Sequence, residues 1–116
     1  MHKIFIRRSI LNNFTDELLN IHENGEGFYR VIDKYEPNDD LIISFESPNL
    51  VEKLVTFLED NDGFSYSAKD VLDGVIYEIE YNDSKHWHLF CPECSGQEQI
   101  KNLGTIIDTL ITKINT

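Results

Sequence analysis

The sequence predicts an α+β domain: an antiparallel β-sheet of about five to six strands, two or three helices packed on one face, and a helix at the C-terminus. Three observations predict it. Apolar and polar residues alternate over 41–46 and 75–91, the period of a half-buried strand. Apolar residues recur every three or four positions over 50–58 and 100–114, the period of an amphipathic helix. Short turn signals separate these segments within 116 residues, a length with room for one core. No repeat, low-complexity tract or linker divides the chain, so residues 1–116 read as one domain.

Lys3 to Arg7 reads as a strand centred on Ile4, Phe5 and Ile6. A short helix is expected from Asp16 to Glu23, capped by Thr15, stapled by Phe14 and Leu19, and ended by Gly25. Phe28 to Tyr35 reads as a strand with Tyr29, Val31 and Tyr35 on one face and Phe28 and Ile32 on the other. Glu36-Pro37-Asn38-Asp39-Asp40 reads as a turn. Leu41 to Glu46 is a strand with Leu41, Ile43 and Phe45 sharing a face.

The next helix is well marked. Ser47 stands at the cap and Pro48 at the first helical position, where its missing N–H costs nothing. Leu50, Val51, Leu54, Val55 and Leu58 form its stripe, and Gly63 closes it. Phe64, Tyr66 and Ala68 suggest a short strand. A hairpin follows, with Val75, Tyr77, Ile79 and Tyr81 on one face of its first strand and Trp87, Leu89 and Cys91 on one face of its second. Matching the apolar faces pairs Ile79 with Leu89 and Tyr81 with Trp87, and sets Glu80 opposite His88. The last helix opens on a capping-box pattern, Ser95 with Glu98, and carries Ile100, Leu103, Ile107, Leu110 and Ile114. Gly104 inside it costs ~1 kcal/mol relative to alanine, so packing must hold it.

Charge is the largest departure from the ordinary. The net charge is −11, from 21 acidic and 10 basic residues. Residues 1–10 carry +3, residues 11–64 carry −10 and residues 65–116 carry −4. A field of this sign repels nucleic acid and anionic lipid and attracts basic proteins. No direct nucleic-acid binding is therefore expected. The N-terminus lacks a signal-peptide core, no run approaches the ~20 apolar residues of a membrane helix, and two cysteines make no secreted framework. These features predict a cytoplasmic protein that binds no membrane.

Few motifs offer chemistry. Cys91-Pro92-Glu93-Cys94 resembles the knuckle of a zinc ribbon, which supplies two of four ligands. His86 and His88 are the nearest remaining donors, but strand alternation points them away from Cys91. The same cysteines read alternatively as a redox pair ahead of a helix, with Glu93 opposing thiolate formation. Otherwise Cys91 is a small buried hydrophobe and Cys94 a loop residue. His86, His88, Glu78 and Glu80 form a polar face without a nucleophile or anion cradle. Glu59-Asp60-Asn61-Asp62-Gly63 fails as a calcium loop, because Leu58 and Lys69 fall where ligands are needed. No phosphate loop, nucleophile elbow or zinc-protease pair is present. No enzyme activity and no cofactor are expected.

The reading that follows is an acidic protein-binding module that docks on a basic partner, such as a nuclease toxin or another nucleic-acid-acting protein. Asp33, Glu36, Asp39, Asp40, Glu59, Asp60 and Asp62 are its candidate acids, with Tyr29, Tyr35, Tyr66 and Trp87 as candidate aromatic anchors. Small acidic α+β proteins of this general kind include bacterial immunity proteins and phage-encoded inhibitors; the likeness is one of class, and no family motif carries it. The alternative is a small zinc- or thiol-dependent protein using Cys91 and Cys94, with His86 and His88 as the further metal donors. A third reading is self-association through an edge strand, which nothing in the sequence specifically indicates.

Overall fold

Alternation decides which side chains of each strand leave water. In the computed structural model, which describes residues 3–10, 15–22, 24–33, 35, 41–69, 71 and 74–116 (Leu41 by its backbone alone), those residues build a seven-stranded sheet. Its strands are β1 (Lys3–Ile10), β2 (Thr15–His22), β3 (Glu26–Asp33), β4 (Leu41–Glu46), β5 (Ser65–Ser67), β6 (Val75–Tyr81) and β7 (Lys85–Phe90), in the order β4-β3-β2-β1-β6-β7-β5. All neighbours are antiparallel except β5 and β7. Two helices, α1 (Pro48–Asp60) and α2 (Glu98–Ile114), share one core with a single sheet face. Ile4, Ile6, Leu19, Ile21, Tyr29, Tyr77, Ile79, Trp87 and Leu89 supply the sheet's part; Val51, Leu54, Leu58, Leu103, Ile107 and Leu110 supply the helices' part. The α+β class is the one predicted.

The segment expected to be a helix from Asp16 to Glu23 is instead strand β2. It lies between β1 and β3, with Leu19 opposite both Ile6 and Tyr29, so backbone pairing is available on both sides. Two flanking ladders outweigh the helix propensity of Asp, Glu and Leu. Glu17, Leu19 and Ile21 turn toward the helices, and Leu18 and Asn20 turn away. Thr15 caps nothing; it begins the strand, and Phe14 lies outside the described residues. Gly25 ends no helix. It sits in the β2–β3 turn at φ +91°, where an added Cβ would come 2.5 Å from the Pro48 Cα. This extra strand raises the count from the expected five or six to seven.

The strands expected at Phe28–Tyr35 and Leu41–Glu46 form, the former two residues earlier at Glu26–Asp33, so Tyr35 lies beyond its end. The turn expected over 36–40 lies outside the described residues. Helix α1 starts at Pro48 as predicted, but Ser47 makes no side-chain cap; its N–H donates to the Gly25 carbonyl at 2.9 Å. The helix ends at Asp60 with Asn61 as its C-cap, before Gly63.

The β6–β7 register differs from the expected one by two residues. Ile79 faces Trp87, Tyr77 faces Leu89, Glu80 faces His86 and Glu78 faces His88. Matching apolar faces fixes parity only, and a slip of two preserves parity. The turn decides: Asn82 and Asp83 both take positive φ, and the Ser84 N–H closes on the Tyr81 carbonyl at 3.1 Å. Asn and Asp tolerate that conformation, which permits the tighter loop.

The capping box at the start of α2 does not form. A short 3₁₀ turn, Pro92–Cys94, intervenes; the Ser95 hydroxyl accepts from the Gln97 N–H at 3.0 Å, and α2 begins at Glu98. The turn also explains Gly104. A Cβ there would lie 2.8 Å from the Pro92 Cγ, so glycine lets α2 settle onto the 3₁₀ turn. Gly104→Ala should therefore destabilise the fold by about 1–3 kcal/mol despite alanine's better helix propensity. In a Pro92→Ala background, where the clashing Cγ is gone, the same change should be neutral or stabilising, as urea unfolding of the four variants would show.

Candidate functional site

The candidate acids divide between two ends of the sheet. One end is marked by the pairs Asp33–Thr15 and Asp16–Ser9, the other by Lys3–His22 and by the β6–β7 turn, where Asn82 donates to the Lys3 carbonyl. Asp33 lies at the first end and accepts from the Tyr35 N–H at 2.8 Å; Tyr35 is 75% exposed. Glu36, Asp39 and Asp40 lie outside the described residues. Glu59, Asp60 and Asp62 lie at the second end, around the C-terminus of α1 and toward the β7–β5 edge. Glu59 accepts from the Tyr81 hydroxyl at 2.7 Å. The two groups are not one patch.

Carboxylates at a helix C-terminus oppose the helix dipole. Lys85 offsets this from β7. Its Nζ donates to the carbonyls of Leu58, Glu59 and Asn61 at 3.0, 3.1 and 3.1 Å. Of the proposed anchors, Tyr66 is half-buried, whereas Tyr29 and Trp87 belong to the core at 3% and 2% exposure and offer a partner no surface. For Trp87 the reason is parity: it shares a face with Leu89, opposite Ile79 under the helices.

Cys91 and Cys94 are joined as a disulfide across the 3₁₀ turn, with Cys91 buried and Cys94 exposed. The Glu93 carboxylate is the only further metal-ligating group that the described residues bring to the two sulfurs. With its sulfurs bonded to each other, the pair has no thiolate to offer zinc. His86 and His88 stand on the opposite face of the sheet, each 3.6 Å from its cross-strand carboxylate, Glu80 and Glu78 respectively. They do not converge on the cysteines. A bond of this kind opens in a strongly reducing compartment. No described helix is long and apolar enough to cross a membrane.

Several of the few cations are committed internally. On the open face, Arg7 pairs with Asp16 at 2.5 Å, an interaction that raises the arginine's pKa. Under α2, Arg8 donates to Glu17 at 2.7 Å and to Asp108 at 2.9 Å. Burial alone would lower its pKa, and the two carboxylates more than reverse that. The Tyr29 hydroxyl donates to Glu17 at 2.5 Å and the Tyr77 hydroxyl to Asp108 at 2.6 Å. This network ties β1, β2, β3 and β6 to the last helix.

Both helices lie on one face, and nothing among the described residues covers the other. There Phe28 and Ile42 are 51% and 60% exposed, and they are diagonal neighbours across β3 and β4. At the end of the same strands Glu26 faces Glu46 directly. Like charges in that position repel, and neither carboxylate forms an ion pair among the described residues. They rim a hollow of about 480 Å³ lined by His22, Glu26, Gly27, Phe28, Ser44, Phe45 and Glu46. None of these residues was a sequence candidate, because 20 positions separate the two glutamates and only strand pairing unites them. A second hollow, beside Tyr77, Glu93, Lys101 and Asp108, measures about 160 Å³. That is well below the ~300 Å³ at which ligand pockets begin. Compared with protein-family models, curated proteins and solved structures, the chain matches none.

The buried network has an alkaline signature. Burial, and then the bond to Glu17, push the Tyr29 phenol from 10.0 up to about 12, and burial and Asp108 push Tyr77 up as well. A proton held more tightly in the folded state gives stability that is complete below pH ~10 and is lost as pH rises through the folded value. Melting temperature should therefore fall between pH 10 and about 12, and Tyr29→Phe should fall less steeply there while being less stable near neutrality. Thermal scans across that range check both.

Proposed function

We propose that this domain is an acidic protein-binding module of the inhibitor or immunity type, which docks on a basic, nucleic-acid-acting partner protein and neutralises it. The division of its charges carries the reading. Arg7, Arg8 and Lys85 are held by acceptors of the same chain, whereas Glu26, Glu46, Asp60 and Asp62 are exposed. The ion pairs occupy acids as well as cations, so the net charge of −11 stands and is carried outward by exposed carboxylates. Such a field draws in a basic surface and accelerates encounter, while low exposure of the core leaves the scaffold rigid. The reading assigns the domain no reaction of its own.

The disulfide favours a second reading, a thiol-dependent protein in which Cys91 and Cys94 exchange with a partner's dithiol. Equilibration in glutathione buffers followed by thiol alkylation decides it. A pair that opens within the glutathione range supports exchange; one that stays closed throughout is structural.

Capture with the immobilised domain tests the first reading. A partner of high isoelectric point should bind at low salt, leave at high salt, and lose its action on nucleic acid when one equivalent of the domain is added. A neutral or acidic partner whose retention ignores salt overturns the reading. With that partner in hand, Asp60→Lys combined with Asp62→Lys should slow association about three- to tenfold at low salt and leave dissociation nearly unchanged. Folding should survive, since both residues are exposed and a cation suits a helix C-terminus. Stopped-flow mixing at two salt concentrations measures both rates.

A further inference from the structure

We infer that the free edge of β4, together with the uncovered face of β3 and β4 beside it, is the docking site, and that its occupant is an extended cationic segment of the partner protein added to β4 as another strand. The inference rests on the proposed function and names the surface that serves it. Four observations converge on this edge.

First, β4 is the outermost strand on its side among the described residues, and its six residues, Leu-Ile-Ile-Ser-Phe-Glu, include no Lys, Arg, Pro or Gly. Proteins normally protect an edge with such residues or with brevity. The opposite edge, β5, is protected by brevity, at three residues. Second, Phe28 and Ile42 are two of the four large apolar side chains that stand exposed among the described residues, and they adjoin on this face. Third, Glu26 and Glu46 oppose each other, and neither forms an ion pair among the described residues. Fourth, the 480 Å³ hollow opens between those carboxylates and Phe28.

An added strand satisfies all four at once. Its backbone takes up the unpaired edge groups of β4, and alternate side chains fall on the open face beside Ile42, Ser44 and Glu46. An apolar side chain meets Ile42. A Lys or Arg beside Ser44 and Glu46 reaches the hollow, where two carboxylates neutralise it and the Phe28 ring offers its face to the cation. A second copy of this chain fits less well. It would bring its own Glu46 to the same edge and a further net charge of −11.

A short capped peptide whose same-face positions carry valine and then two arginines, with threonines between them, is the probe, with its glutamate-for-arginine counterpart and a lysine homopolymer as controls. Backbone amide shifts of the isotope-labelled domain should move along 42–46 and 26–30 with the arginine peptide and stay still with the glutamate peptide. The lysine homopolymer should give only diffuse, salt-sensitive shifts. Ile42→Lys, and separately Glu26→Gln with Glu46→Gln, should each weaken the arginine peptide about tenfold while the amide spectrum stays folded. Shifts centred on Glu59–Asp62 would overturn this site and leave the basic-partner reading standing. Equal binding of the glutamate peptide would overturn both. No binding at millimolar peptide, or concentration-dependent dimers abolished by Ile42→Lys, would overturn the site, and the capture experiment then decides the reading by itself.

Discussion

A seven-stranded sheet has two broad faces, and the described part of this chain has two helices with which to cover them. Both helices lie on the same side, and that asymmetry organises the molecule. One face becomes the whole core, with Trp87, Tyr77 and the strand isoleucines packed against Val51, Leu54, Leu103 and Ile107. Burying that much apolar surface is what holds the fold together. The other face carries polar pairs: Arg7 with a buried Asp16, and Glu78 with His88 and Glu80 with His86 in the open. At β3 and β4 the same face exposes Phe28 and Ile42, and Glu26 opposes Glu46 with no ion pair to either among the described residues.

The polar network under α2 shows how the fold uses its cations. Arg8 reaches two carboxylates from different elements, and two tyrosines donate to the same pair of acids. Hydrogen bonding of this kind compensates for taking charged groups partly out of water. It takes two carboxylates out of the surface together with one guanidinium. At the other end Lys85 closes α1. The acidic majority outside comes from the composition, a net charge of −11, and these contacts leave it in place.

The sequence made some of this legible and hid the rest for physical reasons. Period-two alternation marks β4 to the residue, and the stripe from Leu50 to Leu58 marks α1, because each pattern has one compatible structure. Thr15–His22 misleads because its residues favour helix locally while its two neighbouring strands, distant in sequence, decide the outcome. Parity placed the correct faces of β6 and β7 together, but the positive-φ turn at Asn82 and Asp83 set the offset. Trp87 reads as an aromatic anchor only until its parity with Leu89 is taken seriously. The acids at 59–62 are where the pattern puts them, at a helix end, yet they stand apart from Asp33. The Glu26–Glu46 opposition was invisible, since each glutamate alone is an ordinary strand terminus.

The central claim is that the exposed side of the sheet at β4, and no chemistry at the cysteines, is the working part of the protein. Hydrogen–deuterium exchange of the domain, free and bound to a captured partner, tests this most directly. The account predicts that binding slows exchange of the β4 amides, with lesser effects along β3, while the 3₁₀ turn at Pro92–Cys94 is unchanged. Protection confined to that turn, or to the outer surface of α2, would contradict it.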